Sequence, residues 1–569
     1  MEKINWREFH PETFKEAGEK DIPVLLSLSA SWCHWCHVMD RTSYSDDQIV
    51  DYINDNFIPV RVDTDERPDV NERYNMGGWP TTAFLTPDGY LMTGGTYIPP
   101  EQFKLVLRDI RNLYKEQKTG ILEHINRIKT AKTDDSNAEG TLSEDIYKNT
   151  VSKLKSAYDD QYGGFGDEPK FPMTDTLELA AHHWLNNFDD RSGEIFTRTL
   201  QAMGSGGMFD REEGGFFRYS TTRDWSVPHF EKMLEDNSSL LRLLCIAYKA
   251  SGEEQYAETI RRVLAWLGKT MYQPNTKCWA GSQDADEHYY SLSLEERKNI
   301  EPPSIDKNIY TNWNAQLAES LFWVGALFKE DNWKKKALGT LESLEELCYG
   351  REKGYAHYYD GKEAKVYGLL TDQLSMGTAL AAAYQHTGER EFLEKSERIA
   401  LWCIENLRSP SGGFFDSPTD PKATGEMAKP LKELDQNAKT ALWFLLLHHL
   451  SGSEKFKEEA ENTLRYFSGN YKKYGLMASS YALAVFCLLK PWIKVEIAGP
   501  PGSEEYRELH LEALTIFVPN KVVSPGTAGE KGTSKAYICR GSQCYQPVSD
   551  RQELSDLLQR VASENSNSR

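Results

Sequence analysis

The sequence predicts a multidomain chain that is α/β at its N-terminus, all-helical through its middle and α/β again in a short C-terminal region. Three observations predict this. The apolar run Val24-Leu25-Leu26-Ser27-Leu28 leads straight into Cys33-His34-Trp35-Cys36, the pattern of a strand handing over to a helix. From Leu142 to Trp492 apolar residues recur at three- and four-residue spacing and strand signals nearly vanish. After Trp492, the alternation Ile493-Lys494-Val495-Glu496-Ile497 returns to a period of two.

Composition narrows the function classes. The chain has 569 residues, 39% of them hydrophobic, enough for ordinary cores in roughly two to four domains. A mean hydropathy of −0.61, with no apolar run near the ~18 residues a membrane span needs, argues against membrane insertion. A net charge of −20 argues against nucleic acid and anionic membranes as partners. The odd count of nine cysteines, and a start Met1-Glu2-Lys3-Ile4-Asn5-Trp6-Arg7 without a basic then apolar leader, point to a reducing, cytoplasmic setting. Cys245, Cys278, Cys348, Cys403 and Cys487 are then expected to be plain buried thiols.

Taken in order, the first strand ends at the dithiol. Two residues between Cys33 and Cys36 place both sulfurs in the first turn of a helix, where unpaired N–H groups and the macrodipole stabilise a thiolate. The same letters, with His37, spell the C-x-x-C-H attachment signature of a c-type haem, which the lack of an export leader disfavours. Zinc is a second alternative, but Cys33, His34, Cys36 and His37 crowd onto one turn and cannot easily surround a tetrahedral ion. No cofactor and no metal is therefore expected. An amphipathic helix around Asp46 to Asn56 and a strand Ile58–Asp63 supply βαβ order, and Trp79-Pro80-Thr81 opens a further strand that ends in the turn Pro87-Asp88-Gly89. X-Pro is the only common source of a cis peptide, and Pro at a strand head donates nothing to the ladder.

The segments WCHWCHVM, RVDTDERPDVNERY, GGWPTTAFLTPDG and GGTYIPPEQF together resemble the thioredoxin-like family typified by spermatogenesis-associated protein 20. That resemblance implies a thioredoxin-like fold with Trp79 and a cis Pro80 facing Cys33, followed by an all-helical barrel. Two departures stand beside it: the stretch Tyr74-Asn75-Met76-Gly77-Gly78 is shorter than the family pattern, and the middle region matches only in islands. Ordinary thioredoxins also carry a buried acid on the strand before the dithiol, and here Ser27 occupies that place. Without the carboxylate, His34 or His37 is left as the local base or stabilising cation, and a cation there favours the reduced form.

A helix from near Glu101 through Ile125 ends the first domain, 1–130, and a polar aperiodic linker follows at 131–141. Helices such as Met233–Lys249, Thr311–Phe328, Leu370–His386 and Asn437–Leu450 then fill 142–492, roughly twelve in all. Between helix pairs recur Gly-aromatic loops: Gly163-Gly164-Phe165, Gly214-Gly215-Phe216, Gly354-Tyr355 and Gly412-Gly413-Phe414. Their interval of about 50 to 60 residues is one helical hairpin. Some six such hairpins resemble the (α/α)6-type toroid of six-hairpin glycosidases and sugar epimerases. The small C-terminal α/β appendage, 493–569, contains a strand at Ile493–Ile497, a helix at Tyr506–Leu514, a strand-like Thr515–Pro519, and Cys539 and Cys544, a pair that can join, bind metal or stay reduced.

In the helical region, Val227-Pro228-His229-Phe230-Glu231-Lys232-Met233-Leu234-Glu235-Asp236 reads as a helix start, with His229, Lys232 and Asp236 on one face. His229, Glu231 and Asp236 would then flank a cavity mouth, as acid/base groups for sugar chemistry or as ordinary caps. Asp284, Asp286 and Asp306 are further barrel candidates, with Asp372 and Asp435 behind them. Three readings follow. The first is a thiol-disulfide oxidoreductase acting on a protein thiol or disulfide client, with Cys33 the more exposed nucleophile and Cys36 resolving. The second is a sugar isomerase or hydrolase acting on a small sugar-like substrate in the barrel, with the dithiol domain as sensor or docking module. The third is a non-catalytic interaction protein with inert cysteines.

Overall fold

Strand β1, Val24–Ser29, lies at the centre of a four-stranded sheet, in the order β2-β1-β3-β4, with β2 at Ile58–Asp63, β3 at Thr81–Leu85 and β4 at Leu91–Gly95. The structure is a computed structural model that describes residues 3–130, 140–526 and 533–564; most of the expected linker, residues 131–139, lies outside them. β1 runs parallel to β2 and antiparallel to β3, so that Ser27 lies opposite Arg61 on one side and Thr82 on the other. Alternate residues of β1 enter two different cores, Leu25 with Phe57, Phe84 and Phe103, and Val24, Leu26 and Leu28 with Val60, Ala83 and Leu85. Burial on both faces explains why the strand reads as a near-continuous apolar run.

Helices α1 (Pro11–Lys20), α2 (His34–Arg41), α3 (Asp47–Asn56), α4 (Pro68–Tyr74) and α5 (Pro100–Thr130) complete the βαβ order of a thioredoxin-like fold. Residues Asp416–Leu431 belong to this same unit, although they are far away in sequence. The Asp416 carboxylate accepts two hydrogen bonds from Arg73, at 2.7 and 3.1 Å, and the Glu426 N–H donates to Tyr74 Oη at 3.2 Å. Both side chains of the Arg73–Asp416 pair are under a tenth exposed.

Among its described residues the second unit, Ser136–Phe415 with Lys432–Arg569, contains twelve helices that pack in pairs: α6 (Glu144–Ala157), α7 (Thr174–Asn187), α8 (Asp190–Ser205), α9 (Leu234–Ser251), α10 (Glu254–Trp266), α11 (Thr311–Phe328), α12 (Asp331–Cys348), α13 (Leu370–Thr387), α14 (Arg390–Asn406), α15 (Leu434–Ser451), α16 (Glu454–Phe467) and α17 (Ser479–Leu489). The odd-numbered helices from α7 to α17 pack on one another in turn, and α17 packs back on α7 to close the ring. Each even-numbered helix backs a ring helix as a hairpin partner; the sixth pair joins the last inner helix, α17, to the first outer one, α6. This is an (α/α)6 toroid. Among the described residues no helix is long and apolar enough to cross a membrane.

The Gly-aromatic loops have a recurring structural role. Asn237, Asn314, Gln373 and Asn437, near the starts of four ring helices, each accept the backbone N–H of a loop aromatic residue and donate to its carbonyl, at Phe216, Trp279, Tyr355 and Phe414 respectively. In two loops a buried lysine reaches the loop's first acid: Lys170 to Asp159 and Lys232 to Asp210, both at 2.7 Å. Gly164 and Gly215 have φ of +78° and +84°, and a Cβ on either would strike an indole ring, of Trp225 or Trp266. These positions therefore require glycine on two independent grounds.

The expectation that strands nearly vanish here is corrected: short strands, including Gly354–Tyr359 and Ala364–Tyr367, occupy the helix-to-helix connections. The C-terminal sheet has strand order β6-β5-β7-β8, with β5 at Ile493–Ala498, β6 at Lys521–Pro525, β7 at Lys535–Arg540 and β8 at Gln543–Cys544, covered by α18 (Glu504–Thr515) and α19 (Arg551–Ser563). The expected strand at Thr515–Pro519 is a connection instead; pairing begins only at Lys521. Cys539 and Cys544 face each other across the β7–β8 hairpin and form a disulfide.

His182 of α7 is 1% exposed, its ring against Phe486 and its Nδ1 at 2.9 Å from Tyr147 Oη. Burial, aided by His183, pulls its pKa down from 6.5 to about 3. Between those values the unfolded chain binds a proton that the folded chain refuses. Stability is therefore complete above 6.5 and falls as pH drops toward 3, by about 1.4 kcal/mol per pH unit from this residue. Denaturant titrations of the wild type and His182→Asn across that window should differ in slope; equal slopes would remove His182 as the cause.

Candidate functional site

Cys33 is the N-cap of α2, with φ −85° and ψ 102°, and its Sγ accepts the Cys36 backbone N–H at 3.2 Å. The two cysteines form a disulfide. On reduction the same N–H, with the helix dipole behind it, stabilises a thiolate at Cys33 in preference to Cys36. The expected difference in exposure is corrected: Cys33 is 4% and Cys36 3% exposed, so position on the helix, not accessibility, separates their roles.

Pro80 enters at the same end of the sheet. Thr81 pairs with Leu28, so Trp79-Pro80 lies level with the stretch that leaves β1 for the dithiol. The Trp79–Pro80 bond is cis. The Trp79 ring meets that of Trp32 edge-on at 5.5 Å, and its Nε1 donates to Asn71 at 3.1 Å. Trp32 is anchored by its Nε1–H to Asp65 at 2.6 Å. Trp35, between the cysteines, is 52% exposed and leans on Tyr97 at 5.1 Å. This is an apolar surface beside the sulfurs.

His34 is exposed at the first helical position. His37 points back, with its Nε2 at 3.0 Å from the Ser31 carbonyl, and so braces the loop that carries the dithiol. Behind the helix, Ser27 is fully buried and Thr82 Oγ1 is 3.2 Å from Tyr44 Oη. Burial pushes the Tyr44 phenol up, with the Ser27 and Thr82 hydroxyls opposing. Hydroxyls thus fill the place of a buried carboxylate. Asp40, on α2 itself, is paired with Arg61, whose guanidinium lies over the Trp6 and Tyr44 rings.

In the second unit, the expected helix start at Val227 is corrected. Pro228–His229 is a short strand paired with Tyr219–Ser220, Lys232–Met233 is another, and α9 begins only at Leu234. The backbone up to Met233 is consumed by strand pairing, so His229, Lys232 and Asp236 do not share a helical face. His229 stacks on Tyr219 and hydrogen-bonds Glu231, which is fully buried and also within 3.5 Å of Arg218. Lys232 is enclosed by Phe217, Trp266 and Tyr290 and paired with Asp210, and burial lowers it to about 8.

Asp236 lies in the first turn of α9. Asp286 caps a short helix through the Tyr289 N–H, Asp284 accepts from Ala285 and Ser304, and Asp306 accepts from Asn308 and Tyr310. Through these contacts the three carboxylates brace turns and a helix start. A dyad that sequence reading missed is His357, whose Nδ1 is 3.0 and 3.1 Å from the two carboxylate oxygens of Asp372. Both are buried, and burial raises the Asp372 carboxyl while His357 opposes. Asp372 alone had a helix-start signal; His357 sits on a connection strand that nothing in its neighbours announces. Among the described residues no group of three or more His, Cys, Asp or Glu is disposed to hold a metal ion.

Residues 1–132 match the Thioredox_DsbH family, described as a protein of unknown function, DUF255. Spermatogenesis-associated protein 20 of Mus musculus is 34% identical over 709 residues, covering 98% of this chain and 89% of that protein. Its Rattus norvegicus counterpart is 33% identical over 714 residues, with 98% and 89% covered. Among solved structures, cellobiose 2-epimerase from Bacillus thermoamylovorans B4167 aligns at TM-score 0.48 and 11% identity over 58% of this chain and 87% of that one. With a dithiol unit first in sequence, a toroid following it along the chain and relatives matched across nearly its whole length, the chain belongs to the spermatogenesis-associated protein 20 family.

Proposed function

We propose that the protein is a thiol-disulfide oxidoreductase in which Cys33 attacks a client disulfide and Cys36 resolves the mixed disulfide. The observation that carries this reading is the placement of Cys33 at the N-cap of α2, with the Cys36 N–H on its sulfur. Attack by the Cys33 thiolate forms a Cys33–client S–S bond and expels one client thiolate. Cys36 then attacks Cys33, releasing the second client thiolate and closing the Cys33–Cys36 disulfide. Two electrons pass from the dithiol to the client, and an external dithiol must restore the enzyme.

Exposed Trp35, with the partly exposed Tyr97 and Trp79, favours a polypeptide client over a small thiol, since these rings give an apolar footing at the dithiol, while buried Trp32 backs Trp79. A reducing compartment, the cytoplasm, suits this direction; of the other seven cysteines five are buried thiols and two form the Cys539–Cys544 disulfide. Where Ser27 replaces an acid, deprotonation of Cys36 falls to water or to His34, so resolution rather than attack should limit turnover. Cys36→Ser tests the reading: the reduced variant should accumulate a stable mixed disulfide through Cys33 when given a disulfide-containing protein. Failure to trap any adduct, with the variant folded, would remove it.

A further inference from the structure

Helix α4, Pro68–Tyr74, is seven residues long, too short to hold its own geometry in water, so its place is set by what packs on it. Val70 and Tyr74 enter the core formed with Leu26, Val60 and Ala83 of the sheet. A second hold comes from Asp416–Leu431, a segment that lies in sequence between α14 and α15 yet belongs to the dithiol unit. Arg73 donates to the Asp69 carbonyl of its own helix at 2.9 Å, to both carboxylate oxygens of Asp416, and to the Lys429 carbonyl at 3.0 Å. Tyr74 Oη donates to the Gly89 carbonyl at 2.7 Å and accepts the Glu426 N–H, while Met427 packs against the same core. Gly425 passes so close to the turn at Gly89 that a Cβ on it would lie 2.0 Å from the Gly89 carbonyl oxygen. The segment is thus a strap across the C-terminal turn of α4.

That turn also carries the side chains that shape the loop leading into β3. Asn71 Oδ1 accepts from Trp79 Nε1 at 3.1 Å and from Asn75 Nδ2 at 3.0 Å. Asn75 Oδ1 in turn accepts the N–H groups of Gly77, at 2.7 Å, and Gly78, at 3.0 Å, in the manner of an Asx turn. Thr81 Oγ1 closes the loop from its far side, accepting the Met76 N–H and donating to the Gly78 carbonyl. Every link from Asp416 to Trp79 is therefore a hydrogen bond or part of one short helix. Trp79 is partly exposed and meets Trp32 edge-on, so this chain of contacts ends at the apolar footing beside the dithiol.

We infer that the Asp416–Leu431 strap, acting through Arg73, Asn71 and Asn75, sets the position of the wall at residues 77–79 against which a polypeptide client lies at the dithiol. This deepens the oxidoreductase reading above and rests on it for the client. The strap and the two asparagines position and do not react; the N–H on the Cys33 sulfur comes from α2. Arginine suits the task, because its planar fork engages two Asp416 oxygens and a carbonyl at once and fixes direction as well as distance. Attack by Cys33 on a small disulfide needs only α2. A polypeptide needs Trp79 in place as well.

Two variants of the full chain test this. Asp416→Asn keeps the size of the side chain and withdraws the charge that faces Arg73. Gly425→Ala pushes the strap off the Gly89 turn and leaves both residues of the ion pair intact. In hydrogen exchange followed by mass spectrometry, the peptide containing Gly77 and Gly78 should exchange about tenfold faster in Asp416→Asn, with the peptide containing β1 unchanged. KM for a protein disulfide should rise about tenfold while kcat holds, the mark of lost binding that ground and transition states share. Reduction of 2-hydroxyethyl disulfide, too small to use the Trp79 wall, should stay at the wild-type rate. Gly425→Ala should move loop exchange and KM in the same direction. Unchanged loop exchange in both variants, an equal loss of protection in β1, or a small-disulfide rate that falls with the protein rate would overturn the assignment. Failure of Cys36→Ser to trap a client would remove the oxidoreductase reading, whereas intact trapping with unmoved loop exchange would remove only this one.

Discussion

Cys33→Ser should reduce disulfide turnover to the rate of the uncatalysed exchange, measured with a protein disulfide and an external dithiol. The serine hydroxyl keeps the N-cap, because it can still accept the Cys36 N–H that Sγ accepts at 3.2 Å. Helix α2 should therefore persist, and the loss reports chemistry rather than folding. A hydroxyl beside the same N–H stays protonated at neutral pH, whereas a thiol there ionises. Cys36→Ser should behave differently: one round of attack, then arrest. This asymmetry is the discriminating feature, because the two sulfurs are equally buried and only their places on α2 distinguish them. A control separates the second disulfide: Cys539→Ser with Cys544→Ser should leave turnover unchanged. Turnover that survives in Cys33→Ser but falls in that double variant would move the redox site to the β7–β8 hairpin.

Much of this geometry was legible where it is local. Strand β2 and helix α11 begin and end at the residues the pattern marks, Ile58 to Asp63 and Thr311 to Phe328, because polar residues adjoin them: Asn56 ahead of β2, Thr64-Asp65 after it and Lys329-Glu330 after α11. The dithiol's place before α2 follows from the same adjacency. What failed depends on distant partners. Pro228 and the spacing of His229 and Lys232 suggest a helix, but cross-strand pairing with Tyr219, Ser220 and Gln283 overrides that local preference. Residues Asp416–Leu431 join the first unit through Arg73 and Tyr74, some three hundred and forty positions away in sequence, and no periodicity announces such a union. The ring helices show a different limit. Asp435 stands out as a barrel candidate, but its partner Lys439 also reaches Asp175 of α7, 264 positions away, a contact that no spacing along α15 announces.

The same long-range logic makes Asp210→Asn the substitution expected to cost the most stability in the second unit. Asp210 is 4% exposed and its Oδ2 accepts from both Lys232, at 2.7 Å, and Arg297, at 2.8 Å. Its Oδ1 accepts the N–H groups of Glu212 and Glu213, which hold the Gly214-Gly215 turn. An asparagine oxygen can keep those turn bonds, so the change isolates the charge. Two buried cations would then face each other without their shared carboxylate. Glu213, 3.3 Å from Arg297, offsets only part of this. Removing one partner of a buried ion pair costs about 3–5 kcal/mol, and urea denaturation should show a loss of that size. Lys232→Met should cost less, because it deletes a buried cation, leaves Asp210 paired with Arg297, and fills the aromatic enclosure of Phe217, Trp266 and Tyr290 with an apolar side chain. The order of the two losses is the decisive result. If Lys232→Met proves the more damaging, the loop is held by the lysine's bond to the Gly214 carbonyl and its ring contacts, and the carboxylate is secondary.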